Sequence, residues 1–274
     1  MLQPHLELIG YTDDLHNKSA PPLLFVHGAW HGAWCWDKHF LPYFSQNGYR
    51  SYALSLSGHG QSYKPQPFWQ TGIAQYIKDV ETIIGQLPQK PIVIGHSMGG
   101  FIVQKLLEKN SPLIAGAALL APVPHFGAIK IILKMAALYP IKLLLANVKL
   151  SLYGFVNTPE LVKKHFFSPT LPTATIQEYA SLMQDEAYRV MWDMLLLQLP
   201  KPSNFEKKIP LLVLGAANDF LVSPDDVQKT ALAYGSNATI IPNIAHDLML
   251  DTNRQTAAQT LLQWLNSLSV NSNA

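Results

Sequence analysis

The sequence predicts an α/β fold, with a mostly parallel, doubly wound sheet that helices cover on both faces. Two observations carry this prediction. Short apolar runs of strand length alternate with helical stretches through the first part of the chain, and the alternation returns near its end. Between residues 122 and 208 no clear strand pattern occurs, which indicates a helical insertion.

The predicted elements follow one another in a regular order. Strands are expected near residues 5–11, 22–27, 50–56, 91–95 and 114–120, and then at 210–215 and 238–242. Helices are expected near residues 36–47, 71–86 and 98–109. We therefore divide the chain into a first core part at residues 1–121, a helical cap or lid at 122–208 and a second core part at 209–274.

The strongest signal is the stretch Gly95-His96-Ser97-Met98-Gly99, which follows an apolar run and precedes a helical pattern. This spacing is typical of a sharp strand-to-helix turn that holds a serine in a strained conformation and exposes its hydroxyl. Gly95 and Gly99 would keep the strand and the helix from colliding. Ser97 is therefore the candidate nucleophile, and the context argues against a chance match of common residues.

A serine hydroxyl needs a base to take its proton, and the base needs an acid to orient it. In this arrangement the order along the chain is serine, acid, histidine. Asp219 follows the strand predicted at 210–215, and His246 follows the strand at 238–242. They are the candidate acid and base. Asp247 is a second candidate for the acid, ranked lower because neighbouring side chains point apart and because we expect it to cap the next turn.

Acyl transfer also requires hydrogen-bond donors for the oxyanion. We expect one from the backbone N–H of Met98, directly after the candidate nucleophile, and one from Ala29, in the loop after the strand at 22–27. Gly28 is expected to let this backbone turn. His27 is expected to brace the loop rather than to titrate in catalysis.

Together these residues resemble the α/β-hydrolase superfamily. The matching motifs are His27-Gly28, Gly58-His59-Gly60-Gln61-Ser62 and the turn around Ser97, with Asp219 and His246 following in family order. The resemblance covers nearly the whole chain. It implies the α/β-hydrolase fold, an eight-stranded type of sheet in which the helical cap follows strand 6. It also implies that the five candidate residues above are the nucleophile, acid, base and oxyanion donors of that family.

The loop from His27 to Trp36 looks like that of plant methyl-ester esterases and hydroxynitrile lyases. The lyases carry a lysine after the catalytic histidine and a threonine near the early His-Gly. Here Asp247 follows His246 and Ala29 follows Gly28, so we expect esterase or lipase chemistry on a small apolar ester or a lipid. Thioesterase, acyltransferase and carbon–carbon hydrolase chemistry stay open as alternatives, and so does a non-catalytic receptor for a small molecule.

The predicted cap is rich in apolar residues, and residues 128–153 combine these with four lysines and no acidic residue: Lys130, Lys134, Lys142 and Lys149. One interpretation, which we favour, is an amphipathic cap that buries its apolar face within the protein. The alternative is transient contact of a basic, apolar cap with a membrane surface.

In either case the cap should cover Ser97 with apolar side chains and favour an uncharged substrate. The candidates for this lining are Met135, Leu138, Leu144, Phe155, Phe166, Met183, Met191 and Trp192.

Composition agrees with an enzyme that has one large core. The 274 residues are 48% hydrophobic and 14% charged, and the net charge of +2 does not favour a nucleic-acid partner. The histidines lack metal-ligand spacing and no dinucleotide fingerprint occurs, so we expect no metal and no cofactor. With one cysteine, Cys35, and no evident signal peptide, we expect a cytoplasmic protein.

Overall fold

The computed structural model describes residues 5–12, 20–109, 113–206 and 208–271. Within these residues seven strands form one sheet in the order β1-β3-β2-β4-β5-β6-β7. The first strand pairs antiparallel with its neighbour, and all other pairs are parallel. The strands are β1 (Leu8–Tyr11), β2 (Leu23–Val26), β3 (Ser51–Leu54), β4 (Ile92–His96), β5 (Gly116–Leu120), β6 (Leu211–Ala216) and β7 (Ala238–Ile241).

The α-helices of the described residues fall into two groups. Those before β5 and after β6 are α1 (Trp34–Asp37), α2 (Phe40–Gln46), α3 (Ile73–Gln86), α4 (Met98–Glu108), α10 (Pro224–Ala233) and α11 (Arg254–Asn271). Those between β5 and β6 are α5 (Ile129–Leu138), α6 (Pro140–Lys149), α7 (Pro159–Phe166), α8 (Thr173–Leu182) and α9 (Tyr188–Trp192). The second group forms the helical insertion, which we use below as the name for residues 122–208.

The predicted fold class is confirmed, with two differences in detail. Seven strands are present in the described residues, one fewer than the eight-stranded type, so the helical insertion follows β5. The helix predicted at 36–47 is two helices, α1 and α2. Pro42 explains the break, because it has no N–H to donate to the carbonyl of Lys38 but is tolerated in the first turn of a new helix.

The sheet is buried on both faces, as a parallel sheet requires. Successive strand residues point to opposite sides. Phe25 lies in a cluster with residues of α1, α2 and α11, whereas its neighbour Leu24 lies in a second cluster with residues of α3, α4 and α10. The ring centroid of Phe25 is 4.9 Å from that of Trp36 and 5.6 Å from that of Phe44. This packing fixes the carboxyl ends of the central strands at one edge of the sheet.

The turn from β4 to α4 is closely packed against its neighbours. A Cβ on Gly95 would overlap the backbone of Gly99 and Gly100, and a Cβ on Gly99 would overlap the carbonyls of Val26 and His27. Between the two glycines, Ser97 has φ +52° and ψ −115°, a conformation that L-residues rarely adopt. Helix α4 therefore approaches the sheet closely enough to hold Ser97 under strain.

We predict that Gly95→Ala destabilises the protein by about 3 kcal/mol, because the added methyl meets backbone atoms that have no room to move. Gly85→Ala is the matched control: Gly85 lies in α3, and a Cβ there meets nothing within 4 Å. The control should be neutral or stabilising by up to about 1 kcal/mol. Urea unfolding of both variants measures the difference, and equal stabilities would refute the close approach.

Candidate active site

Three predicted side chains meet at the carboxyl edge of the sheet. Ser97 follows β4, Asp219 follows β6 and His246 follows β7. The Oγ of Ser97 lies 2.9 Å from Nε2 of His246, and Nδ1 of His246 lies 2.7 Å from Oδ2 of Asp219. Because a carboxylate accepts, Nδ1 carries the proton and Nε2 is left to accept from the Ser97 hydroxyl. The arrangement is a continuous hydrogen-bonded chain from hydroxyl to carboxylate.

Asp219, the last member of this series of hydrogen bonds, is held firmly in place. Its Oδ1 accepts from the backbone N–H groups of Leu221 and Val222 at 2.7 and 2.9 Å, so both carboxylate oxygens have donors. Asp225 and Asp226, the next acidic residues along the chain, lie instead in the first turn of α10, which Ser223 caps.

The His246 ring is fully buried, and its charge is set by the carboxylates around it. Burial by itself lowers the pKa of His246, but the charge and hydrogen bond of Asp219, together with the charge of Asp247, outweigh it. The net result is a pKa raised above the ordinary value of 6.5. An imidazolium formed at this position is therefore stabilised by the site itself.

The loop after β2 passes directly beside the Ser97 turn. A Cβ on Gly28 would lie 3.0 Å from Nδ1 of His96 and 3.1 Å from Cβ of Ser97. The backbone turns here as expected, since the N–H of His31 lies 3.4 Å from the carbonyl of Gly28, and it is Trp30 that takes the left-handed φ of +66°. The glycine is needed because the loop approaches the serine, and as a result Ala29, Ser97 and Met98 line one cavity.

His27 is locked between two backbone groups. Its Nδ1–H donates to the carbonyl of Gly28 at 2.7 Å, and its Nε2 accepts from the N–H of Leu56 at 3.0 Å. Burial and the nearby His59 hold the pKa of His27 well below its usual value. A neutral ring with both nitrogens engaged ties the loop after β2 to the segment that follows β3.

Asp247 does not cap a turn through its side chain, contrary to our expectation. Its Oδ2 lies 3.0 Å from Nε2 of His31, and both side chains are almost fully buried. Nδ1 of His31 lies 2.7 Å from the carbonyl of Ala29. Both ring nitrogens of His31 therefore face acceptor oxygens. Burial raises the pKa of Asp247, but His31 outweighs this and lowers it overall. The contact between His31 and Asp247 joins the loop that bears Ala29 to the loop that bears His246.

His96 holds the backbone of His246, the candidate base. Its Nε2–H donates to the backbone carbonyl of His246 at 2.9 Å, and burial together with the charge of His246 lowers the pKa of His96 to about 3. The donor atoms of His96, His246 and Asp247 lie within 4.8 Å of one another, close enough in principle for a metal ion. Both ring nitrogens of His246 are already engaged, however, so a metal would have to displace Ser97 or Asp219.

The helical insertion also holds the His246 loop in place. The N–H of Asp247 donates to the carbonyl of Phe166 at 3.1 Å, and the Phe166 ring centroid is 6.0 Å from that of His246. Asp251 accepts from the N–H of Ser168 at 3.1 Å and from the N–H of Ala245 at 2.7 Å. The loop therefore has contacts on both sides, from the sheet and from the end of α7.

The cavity above Ser97 is walled mainly by apolar side chains of the helical insertion. Of the predicted lining, Met135, Phe155 and Met191 lie in the wall. Leu138, Leu144 and Trp192 are exposed instead, and Phe166 and Met183 are buried in the core cluster. The sequence pattern did not identify Ile131, Ile132, Leu143, Leu152, Met194 and Leu221, which also line the cavity.

Two polar residues of the wall were missed as well. Glu186 accepts from the hydroxyl of Tyr76 at 2.6 Å and lies 3.3 Å from Nε2 of His59, so it links the helical insertion to the core. His165 lies 3.2 Å from the hydroxyl of Tyr139, and burial lowers its pKa to about 4. No local pattern marks either residue, because their partners are far apart in the chain.

Comparisons with known proteins agree with this architecture. The chain is 28% identical over 224 residues to the pFDCC methylesterase MES16 of Arabidopsis thaliana, which covers 76% of this chain and 80% of that protein. Methylesterase 10 of the same plant is 29% identical over 117 residues, 42% of each chain. A soluble variant of monoglyceride lipase from Saccharomyces cerevisiae superimposes with a TM-score of 0.78 at 17% identity, over 97% of this chain and 93% of the other. The last similarity shows the fold alone.

The relation to methylesterases, taken with the hydrogen-bonded chain at Ser97, indicates a carboxylic ester hydrolase. The model of the alpha/beta hydrolase family matches residues 23–259, most of the chain. The protein therefore belongs to the alpha/beta hydrolase family.

Proposed function

We propose that the protein is a serine hydrolase that cleaves a carboxylic ester of a largely apolar small molecule or lipid through an acyl-enzyme on Ser97. The observation that carries the proposal is the series of hydrogen bonds from Ser97 through His246 to Asp219, together with the apolar cavity that Ser97 lines. A serine, a base and an orienting carboxylate in this geometry are what acyl transfer requires.

In the first half of the reaction, Ser97 Oγ attacks the ester carbonyl while Nε2 of His246 takes its proton. The backbone N–H groups of Ala29 and Met98 donate to the oxyanion. Asp219 holds the tautomer of the ring and stabilises the imidazolium. The carbon–oxygen bond to the alcohol then breaks, and His246 returns the proton to the leaving alcohol.

In the second half, water replaces the alcohol. His246 removes a proton from water as the water oxygen attacks the acyl carbon, and the same two N–H groups hold the oxyanion. The bond between Ser97 Oγ and the acyl carbon breaks, the serine regains its proton, and a carboxylic acid leaves. Ser97, His246 and Asp219 finish in their starting protonation states.

The substrate class follows from the wall of the cavity. Its lining is almost entirely apolar, and its one acidic side chain, Glu186, already accepts hydrogen bonds from the Tyr76 hydroxyl and from the backbone N–H of Ala187. A charged acyl group would lose its hydration there without gaining an opposite charge. We further propose that residues 122–208 act as the cap domain of the enzyme, between core parts at 1–121 and 209–274.

We predict that Ser97→Ala lowers kcat for p-nitrophenyl esters by on the order of 10⁴-fold or more, because no other group on the wall replaces the nucleophile. Thermal unfolding should be unchanged, since only a hydroxyl is removed. Ser181→Ala, at an exposed position of α8, is the control and should retain full activity. Wild-type turnover in Ser97→Ala would end the proposal.

The preference for an uncharged acyl group can be tested with a series of p-nitrophenyl esters from acetyl to palmitoyl and a succinyl ester of matched length. We expect an optimum among the uncharged esters, with the succinyl ester slower by on the order of 10²-fold because its carboxylate is buried without a partner.

Labelling of Ser97 by a fluorophosphonate separates an enzyme with another substrate from a non-catalytic receptor. A protein that neither turns over esters nor takes the label would favour the receptor.

We predict that kcat/KM falls on the acid side with a midpoint above pH 6.5, because the pKa of His246 is raised and only the neutral ring accepts the serine proton. Asp247→Asn removes a negative charge that helps to raise this pKa, so the midpoint should move to lower pH. Asp225→Asn, on an exposed helix turn, should leave it unmoved. A flat profile from pH 5 to 8 would contradict His246 as the base.

A further inference from the structure

The outward face of α5 and α6 is apolar where a surface helix is normally polar. Six large apolar side chains on it are between 45% and 72% exposed: Leu133, Leu138, Ile141, Leu144, Leu145 and Val148. We call these six residues the outer face. Scattered apolar side chains are common on protein surfaces, but a cluster on two consecutive helices marks a site of interaction.

The inner face of the same two helices is apolar as well. Ile131, Ile132, Met135 and Leu143 line the cavity that also contains Ser97. An amphipathic helix needs one apolar stripe for packing, and here that stripe is already used by the cavity wall. The outer face is therefore not required by the packing of the described residues, and it lies directly above the candidate active site.

The charge on these helices has one sign. Residues 128–153 contain Lys130, Lys134, Lys142 and Lys149 and no aspartate or glutamate. Lys130 is 57% exposed although it reaches Asp226, and Lys134 lies over the ring of Phe220. Positive side chains around an apolar surface complement the negative headgroups and acyl layer of an anionic lipid surface.

The lengths of α5 and α6 and the bend between them favour binding at the surface of a bilayer over spanning it. No single helix of the described ranges has both the length and the hydropathy of a membrane span; α5 and α6 reach them only together and are bent by 112° at their junction. A second copy of this chain is a poor occupant, because a two-fold contact through the outer face would bring the four lysines of each copy together.

We propose that the outer face of α5 and α6 docks on an anionic lipid surface, with the lysines at its edge. Docking places the wall of the Ser97 cavity against the acyl layer, from which a lipid ester can enter. The docking itself is independent of the reaction, whereas the choice of a lipid ester as substrate rests on the proposed function.

Co-sedimentation with phosphatidylcholine vesicles, with and without phosphatidylglycerol, tests this proposal. We expect the protein to bind the vesicles that contain phosphatidylglycerol, and added salt to weaken binding. The double variant Ile141→Glu, Val148→Glu should bind at least ~tenfold more weakly, because both side chains would carry charge into the acyl layer. Both positions are 72% exposed, so folding should be preserved.

Leu232→Glu is the matched control, since Leu232 is 59% exposed on α10, outside the outer face. It should bind vesicles like the wild type. All three proteins should hydrolyse soluble p-nitrophenyl butyrate equally, because none of the changed residues lines the cavity. A protein without esterase activity that still binds vesicles would contradict the proposed function and leave docking supported.

Three results would overturn docking. The first is wild-type protein that stays in solution with phosphatidylglycerol vesicles at low salt. The second is a double variant that binds as tightly as the wild type. The third is a concentration-dependent dimer in analytical ultracentrifugation that the double variant abolishes, which would assign the outer face to a contact between copies. Lys149→Gln separates the electrostatic contribution to binding from the apolar one. It should reduce binding to anionic vesicles and leave any binding to neutral vesicles unchanged.

Discussion

The site depends on the close approach of α4 to β4. Only glycine fits at positions 95 and 99, because each faces backbone atoms of a neighbouring segment. This approach forces Ser97 to φ +52° and directs its hydroxyl away from the sheet, towards the ring of His246. A strained residue persists only where its surroundings over-determine it. Here the surroundings are the buried central strands, so the fold supplies the strain energy and the serine keeps one conformation before any substrate arrives.

The candidate base, His246, is positioned in a different way, because it lies in a loop. Asp219 fixes one end of the ring, His96 holds its backbone carbonyl, and the adjacent Asp247 is tied to His31 in a buried contact. Removing one member of a buried pair leaves an uncompensated charge, which makes such a contact costly to lose. The His31 ring also reaches the carbonyl of Ala29. Loops that carry separate functional groups are thereby linked, and a displacement of one would be transmitted to the others.

Sequence reasoning located elements and local motifs better than contacts across the chain. The strand-turn-helix around Ser97 and the capping of α10 by Ser223 have local causes that can be read from neighbouring residues. The role of Asp247 could not be read in this way, because its partner His31 is 216 positions away. The lining of the cavity was missed in part for the same reason. Both faces of α5 and α6 are apolar, so periodicity alone could not tell the inner residues from the exposed ones.

The residue after His246, the candidate base, also has an electrostatic consequence. A lysine at this place, as the resemblance of the early loop to the hydroxynitrile lyases would imply, would add a positive charge near the ring and lower the pKa of the histidine. Asp247 acts in the opposite sense and helps to raise the pKa of His246. Proton transfer from Ser97 creates an imidazolium, so a nearby carboxylate favours the charged state that ester cleavage passes through. Under the proposed function, an aspartate at this position therefore favours the imidazolium that forms as Ser97 attacks a neutral ester.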